Sequence, residues 1–152
     1  MDIALTLIND CINLDFDAGD LLGDDGLETA VLISLFSDQR VTSADLPDGE
    51  TSKRGWWGDV FPEVEGDQIG SKLWTFDRVK RTLAVLVQIE TAATNALKWM
   101  LDDGVAKTVE IEAEFDDNRD NGIILRIDIT RPDDTENRFN FVWDQQEIKR
   151  AV

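Results

Sequence analysis

The sequence predicts an α+β fold: a mainly antiparallel sheet, ending in a C-terminal three-stranded meander, packed against about three helices. The first observation is the last third of the chain, where KTVEIEAEF, IILRIDIT and RFNFVWD each alternate apolar with polar residues. Strict alternation places successive side chains on opposite faces, so each run can bury one face and wet the other. The second is a capped apolar run, DDGLETAVLISLF, followed later by a stretch with helical spacing of apolar residues, VKRTLAVLVQIETAATNALKWML. The third is the linkers: DDNRDNG and RPDDTEN are short and turn-rich, as antiparallel neighbours require. A chain of 152 residues reads as one domain over 1–152, which buries roughly two-thirds of the surface its unfolded form exposes.

Taken in order, Ile3, Leu5 and Leu7 alternate with polar or small neighbours, and so do Ile12, Leu14 and Phe16. Asn9-Asp10 lies between the sets, so the spacing predicts two short strands with a tight connection. In DDGLETAVLISLFSDQR, Asp25 and Glu28 have capping-box spacing, and acids favour the positive end of a helix dipole. Nearly every position from Leu27 to Phe36 is apolar, which predicts a helix enclosed on most sides and ending near Ser37 or Asp38. Residues 39–70 show no periodicity and carry Pro47, Pro62 and glycines at 49, 55, 58, 66 and 70. A connection of about 30 residues is unusual in a compact domain and is more often functional or ordered by a partner than idle.

Beyond it, Ser71 is placed to cap a short helix carrying Leu73, Trp74 and Phe76. A longer helix is expected over 79–101, with a break near Thr82. Val79, Leu83, Leu86, Ala93, Leu97 and Met100 form its core-facing stripe, and Gly104 stands in the usual position after a helix end. Asp102 and Asp103 sit at the negative end of that dipole, where an acid is mildly unfavourable. In the meander, Val109, Ile111, Ala113 and Phe115 face inward with Ile123, Leu125, Ile127, Ile129, Phe139, Phe141 and Trp143. Glu110, Glu112 and Glu114 share the outer side with Arg126 and Arg138, an arrangement for cross-strand charge pairing.

Charge and composition narrow the function. Thirty-two acids against 15 bases give −17, and the first 39 residues hold nine acids with neither Lys nor Arg. Such a field repels phosphate and points away from nucleic acid. Histidine is absent and Cys11 is the single cysteine. Together these remove His-based nucleophile systems, His-based metal sites, thiol clusters for zinc and an internal disulfide. MDIALTLINDC has no basic leader and no sustained apolar run, and no segment approaches the length of a membrane span, so a cytoplasm-like compartment is expected.

DFDAGDLLGDDGLE superficially matches a calcium loop. Counting from Asp15, however, Asp20 stands where the turn needs Gly, and Gly26 where a bidentate Glu must close the cage. A cap-rich helix entry is the better reading, and no metal or cofactor is expected. The stretch KRGWWGDVF is the conspicuous candidate site. Trp56 and Trp57 stand between glycines, preceded by Lys53 and Arg54, a small positive island, and followed by Asp59, an acid beside aromatic rings. Trp and Arg are the residue types most enriched at interface hot spots. From the residues alone, the indoles fold back on their own domain or bury themselves in a partner, and the two readings stand evenly. Other uses are a sugar or nucleotide platform on the Trp56/Trp57 pair, or a glycosidase centre with Asp59 as its acid.

The succession DDGLETAVLISLFSDQR, LPDGETSKRGWWGD, GSKLW, a long helix and LKWMLDDGVAKTVEIEAE resembles the Mu-type phage tail protein family, numbered forty-six in phage Mu. The resemblance runs from about Asp20 to the end. That family is in turn similar to the small wedge protein of contractile-tail baseplates. The resemblance implies an α+β structural subunit, with no catalysis, that holds other baseplate and tail tube or sheath proteins together. Strand edges and the tryptophan loop would serve as its docking surfaces. It implies assembly in the host bacterial cytoplasm and a place in the virion tail baseplate, without nucleic acid or membrane as partners; self-association is left open. Lys53, Arg54, Trp56, Trp57 and Asp59 then become partner-binding residues. The alternatives are a peptidoglycan-cleaving, lysozyme-like baseplate enzyme and a small-ligand module built on the indole pair.

Overall fold

The computed structural model describes residues 2–8, 11–14, 16–24, 26–62, 65–66, 68–77, 79–119, 122–143 and 148–150. The N-terminal segment is a set of short antiparallel pairs. Strand β1 (Asp2–Ile3), β2 (Leu5–Ile8), β3 (Cys11–Leu14), β4 (Phe16–Asp17), β5 (Asp20–Leu21) and β6 (Gly23–Asp24) follow one another. β2 pairs β3 from Leu5↔Leu14 to Ile8↔Cys11, the inner part of the strand pair expected from the alternation, while Ile3 pairs with Gly23 and Phe16 with Leu21; Asn9 and Asp10 lie outside the described residues. β4 pairs β5 around Ala18 and Gly19, both at positive φ (50° and 91°), the backbone of a tight two-residue hairpin loop. The acidic segment before the first helix is therefore a hairpin, not only a helix entry.

Helix α1 spans Leu27–Phe36. Its N-cap is Gly26, at φ 89° and without a side-chain cap, so the cap position falls one residue after Asp25, itself outside the described residues. Thr29 ties the first turn to the strands: its hydroxyl donates to the Ile3 carbonyl and accepts from the Leu5 N–H. The helix ends with Ser37 as its C-cap.

The longer helix, α2, spans Leu83–Asp102. Thr82 does not break it but begins it, its side chain accepting the Val85 N–H. Residues 79–82 lie outside the helix, which changes the expected stripe. Ile89, Ala93, Leu97 and Met100 are buried, whereas Leu83 is 78% exposed and Val79 is exposed as well. Gly104, at φ 70°, follows the C-cap Asp103. Asp102 is paired with Lys98 one turn earlier, which offsets part of its unfavourable position. Among the described residues there are two α-helices; the short helix expected after Ser71 is a single 3-10 turn, Leu73–Phe76.

The C-terminal sheet has the order β10-β9-β8-β7. β7 (Thr108–Phe115), β8 (Ile123–Thr130) and β9 (Glu136–Trp143) pair antiparallel in succession, with Ile111↔Ile127↔Phe139 in one row; β10 (Ile148–Arg150) pairs β9. One face is buried at Ile123, Leu125, Ile127, Ile129, Phe139, Phe141 and Trp143, the alternation that the sequence predicts. On the wet face Arg126 pairs with Glu114 and Arg138 with Asp128, exposed pairs of small energetic weight. α2 packs along β7 and against α1. The core is closed by Val31, Leu32 and Leu35 from α1, and Phe36 meets Phe141 edge-on at 5.4 Å.

Candidate functional site

The connection between the 39–70 ends is closed at its base. Residues 37–39 run beside residue 71 as a parallel bridge: Ser71 N–H donates to the Ser37 carbonyl and Gln39 N–H to the Ser71 carbonyl, both at 2.9 Å. Ser71 also donates its hydroxyl to the buried Leu35 carbonyl and accepts the Leu73 N–H. Gly70 makes the approach possible. Its φ is 94°, and a Cβ there would fall 2.3 Å from the Ser37 carbonyl oxygen.

Within the loop, Val41 N–H donates to the Lys53 carbonyl at 3.1 Å, which holds the two arms together. Arg54, at φ 47°, turns its guanidinium back onto the domain. It lies 2.9 Å from the Asp38 carboxylate and 4.3 Å from the centre of the Trp74 ring. Trp74 is the loop's true plug: it is 5% exposed and donates its indole N–H to the Gln39 carbonyl at 2.9 Å. Gly55, at φ 97°, passes against Arg40 so closely that a Cβ would fall 2.5 Å from the Arg40 Cβ.

The chain then forms a 3-10 turn over Trp57–Val60 with Trp56 as its N-cap. The Trp56 ring lies over Gly58, where a Cβ would fall 2.1 Å from the ring. The Trp56 and Trp57 rings are 5.4 Å apart and tilted by 48°. Asp59 accepts the Ile69 N–H at 3.2 Å through Oδ1, joining the turn to the returning strand of the loop; its Oδ2 is buried without a partner among the described residues.

The five residues singled out in the sequence thus divide. Arg54 holds the loop to the domain, whereas Lys53, through its backbone carbonyl, and Asp59 tie the loop to itself at Val41 and Ile69. Trp56 is 47% exposed, and Trp57, at 77%, points away from the domain. Two further residues join it outside: Val60 and Phe61, 68% and 82% exposed. The signal for Val60 was present in GWWGDVF, where a 3-10 turn eclipses residues three apart.

Two adjoining clefts, one of them lined by Trp56, share Ile33 and Ile69. One, about 570 Å³, lies between Phe36, Ser37, Asp38, Gly55 and Trp56. The other, about 280 Å³, lies between Ala30 and Ser34 of α1, Gly70, and Ala96, Trp99 and Asp103 at the end of α2. At the β7 edge of the sheet, Glu90 of α2 accepts the Ala113 N–H at 2.9 Å, so the outer edge of β7 is already occupied at that residue. Among the described residues no group of three or more His, Cys, Asp or Glu side chains is arranged to hold a metal ion. No described helix is long and apolar enough to cross a membrane.

Residues 27–136 match the model of a family described as phage protein GP46. The Mu-like prophage FluMu protein gp46 of Haemophilus influenzae is 41% identical over 144 residues, covering 93% of this chain and 97% of its own. The baseplate protein gp46 of Escherichia phage Mu is 37% identical over 133 residues, covering 87% of this chain and 88% of its own.

Proposed function

Because the chain belongs to the GP46 family of phage proteins, we propose that it is a structural component of a contractile phage or prophage tail baseplate. It acts there as a wedge subunit, one wedge-like domain over 1–152 that works by binding other proteins. The observation that carries the mode of action is the outward patch of Trp57, Val60 and Phe61 on a loop otherwise tied down by Arg54, Asp59 and Trp74. An anchored loop that leaves Trp57 77% exposed presents a large apolar side chain to another chain. Burying the 77% of Trp57 that is exposed is worth roughly 3–5 kcal/mol at about 25 cal/mol per Å². Association costs about 4–15 kcal/mol in lost freedom. Trp57 alone therefore does not hold a complex, and Phe61, Val60 and Trp56 must be covered with it.

The role needs no cofactor and no catalytic step. Asp59, the acid that a peptidoglycan-cleaving reading would use, has one oxygen committed to the Ile69 backbone and supports the loop instead. The partners are other baseplate and tail tube or sheath proteins. A net charge of −17 favours basic protein surfaces over nucleic acid or anionic lipid. The place of action is the virion tail, reached by assembly in the host cytoplasm.

The test is a Trp57→Ala/Phe61→Ala variant in tails assembled from the full set of tail proteins. Both side chains are exposed, so the isolated variant keeps its unfolding free energy within about 0.5 kcal/mol of the parent while its incorporation into tails is lost. Unfolding of the isolated variant would mean that the patch belongs to the core; unchanged incorporation would overturn the docking role.

A further inference from the structure

The geometry points to a second, separate contact on this subunit: the cleft at the end of α2 receives a large apolar side chain of a partner protein, with a Lys or Arg of the same segment set against Asp103. The inference rests on the assembly reading above and adds to it the chemistry of one partner segment. The cleft is built for a side chain. Its floor is made of small residues, Ala30, Gly70 and Ala96, and its walls of Ile33, Ile69 and Trp99, each more than a third exposed. At about 280 Å³ it falls below the roughly 300–1,000 Å³ of cofactor and small-molecule pockets. The walls are fixed in advance. The Trp99 indole donates to Ser34 Oγ at 3.0 Å, locking α2 to α1, and Gly70 is held by the bridge at residue 71. A site that is already formed loses little ordering entropy on binding.

The charge at the end of the cleft selects the neighbour of that side chain. Asp102 has Lys98, but Asp103 has no cationic partner among the described residues. Asp103 also stands at the C-terminus of a 20-residue helix, where the dipole adds about half a negative charge. An acid there opposes its own helix, and a cation from another chain relieves both charges together. A second copy of this chain is a poor source of that cation, because each copy carries −17 and two copies repel.

The full-length isotope-labelled chain is titrated with two capped heptapeptides sharing a central Leu-Leu pair, one flanked by lysines and the other by glutamates. The lysine peptide is expected to shift the backbone amide signals of Ile33, Ile69, Ala96 and Asp103 and to bind at least ten-fold more tightly than the glutamate peptide. Asp103→Asn weakens the lysine peptide two- to five-fold, the range of an exposed ion pair, without changing the fold. Ala96→Leu fills the cleft and removes the response. Equal binding of the two peptides would overturn the proposal. So would shifts confined to Trp57 and Phe61, an unaltered affinity in Asp103→Asn, or a concentration-dependent dimer that moves the same amides without peptide. Peptide selectivity is read without any tail assembly, whereas the Trp57→Ala/Phe61→Ala experiment never reports on this cleft, so failure of the cleft and failure of the baseplate role are told apart.

Discussion

Replacing Gly70 by alanine should destabilise the protein far more than replacing Gly49, although both glycines lie in the same connection at positive φ, 94° and 84°. An L-residue forced into that region costs about 1–2 kcal/mol. At Gly49 nothing lies within 4 Å of the added Cβ, so that strain is the whole folded-state penalty. At Gly70 the Cβ falls 2.3 Å from the Ser37 carbonyl oxygen and 2.8 Å from its carbon. These are backbone atoms on the C-cap of α1, which cannot rotate aside as a side-chain tip does. The strand at 37–39 has to separate from residue 71, breaking Ser71 N–H to Ser37 and Gln39 N–H to Ser71. At about 0.5–1.5 kcal/mol for each hydrogen bond, Gly70→Ala loses roughly 1–3 kcal/mol beyond Gly49→Ala. The gain from a less flexible unfolded chain is common to both variants and cancels in the difference. Urea unfolding followed by far-UV circular dichroism measures it, with hydrogen exchange at residues 39 and 71 as the local readout. Equal midpoints for the two alanine variants would refute the argument that this bridge seals the loop.

The corrected face of α2 is tested by Leu83→Ala, which should change stability by less than about 0.5 kcal/mol because the side chain is 78% exposed. Ile89→Ala, at a fully buried position, should cost about 2–5 kcal/mol; comparable losses at both positions would restore the stripe expected from the sequence. Acid titration tests the contact between residues 45 and 72. Hydrogen bonds from Lys72, and then from the Thr42 hydroxyl, hold the Asp45 carboxyl below its ordinary 3.8. A depressed folded pKa gives stability that is complete above the unfolded value and fades as pH falls through the folded one. Asp45→Asn should therefore lose a few tenths of a kcal/mol at pH 7, the range of an exposed pair, and nothing once the pH is well below 3.8. A difference from the parent that persists undiminished in acid would place the effect elsewhere.

Much of the fold was legible because its patterns are local. In β7, β8 and β9 the alternation alone assigns Ile111, Ile127 and Phe139 to the buried face and Glu112, Arg126 and Asn140 to the other, and the observed register joins them. The existence of α1 follows from its capped apolar run, that of α2 from apolar spacing, and the end of α2 from Gly104. Phase is harder. Leu83, Val85, Leu86, Val87 and Ile89 are all apolar, so the first turns of α2 have no polar side to show which residues face inward. The cap at Thr82, together with the sheet beneath, settles that Ile89 and not Leu83 is buried. The two-residue strands β4 and β5 are too short to carry a period at all.

The sequence by itself determined the α+β class, the antiparallel C-terminal strands, the family and the unusual stretch KRGWWGDVF. Tertiary structure alone decided what that stretch does with its side chains. Trp74, just beyond the loop, lies buried under Arg54 while Trp57 stands outside, although both are tryptophans near one another in sequence. The physical reason is range. Periodicity records which face of a local element meets the core, whereas the fate of each indole depends on pairings such as Ser37 with Ser71 and Asp59 with Ile69, made between distant parts of the chain once the helices have packed on the sheet.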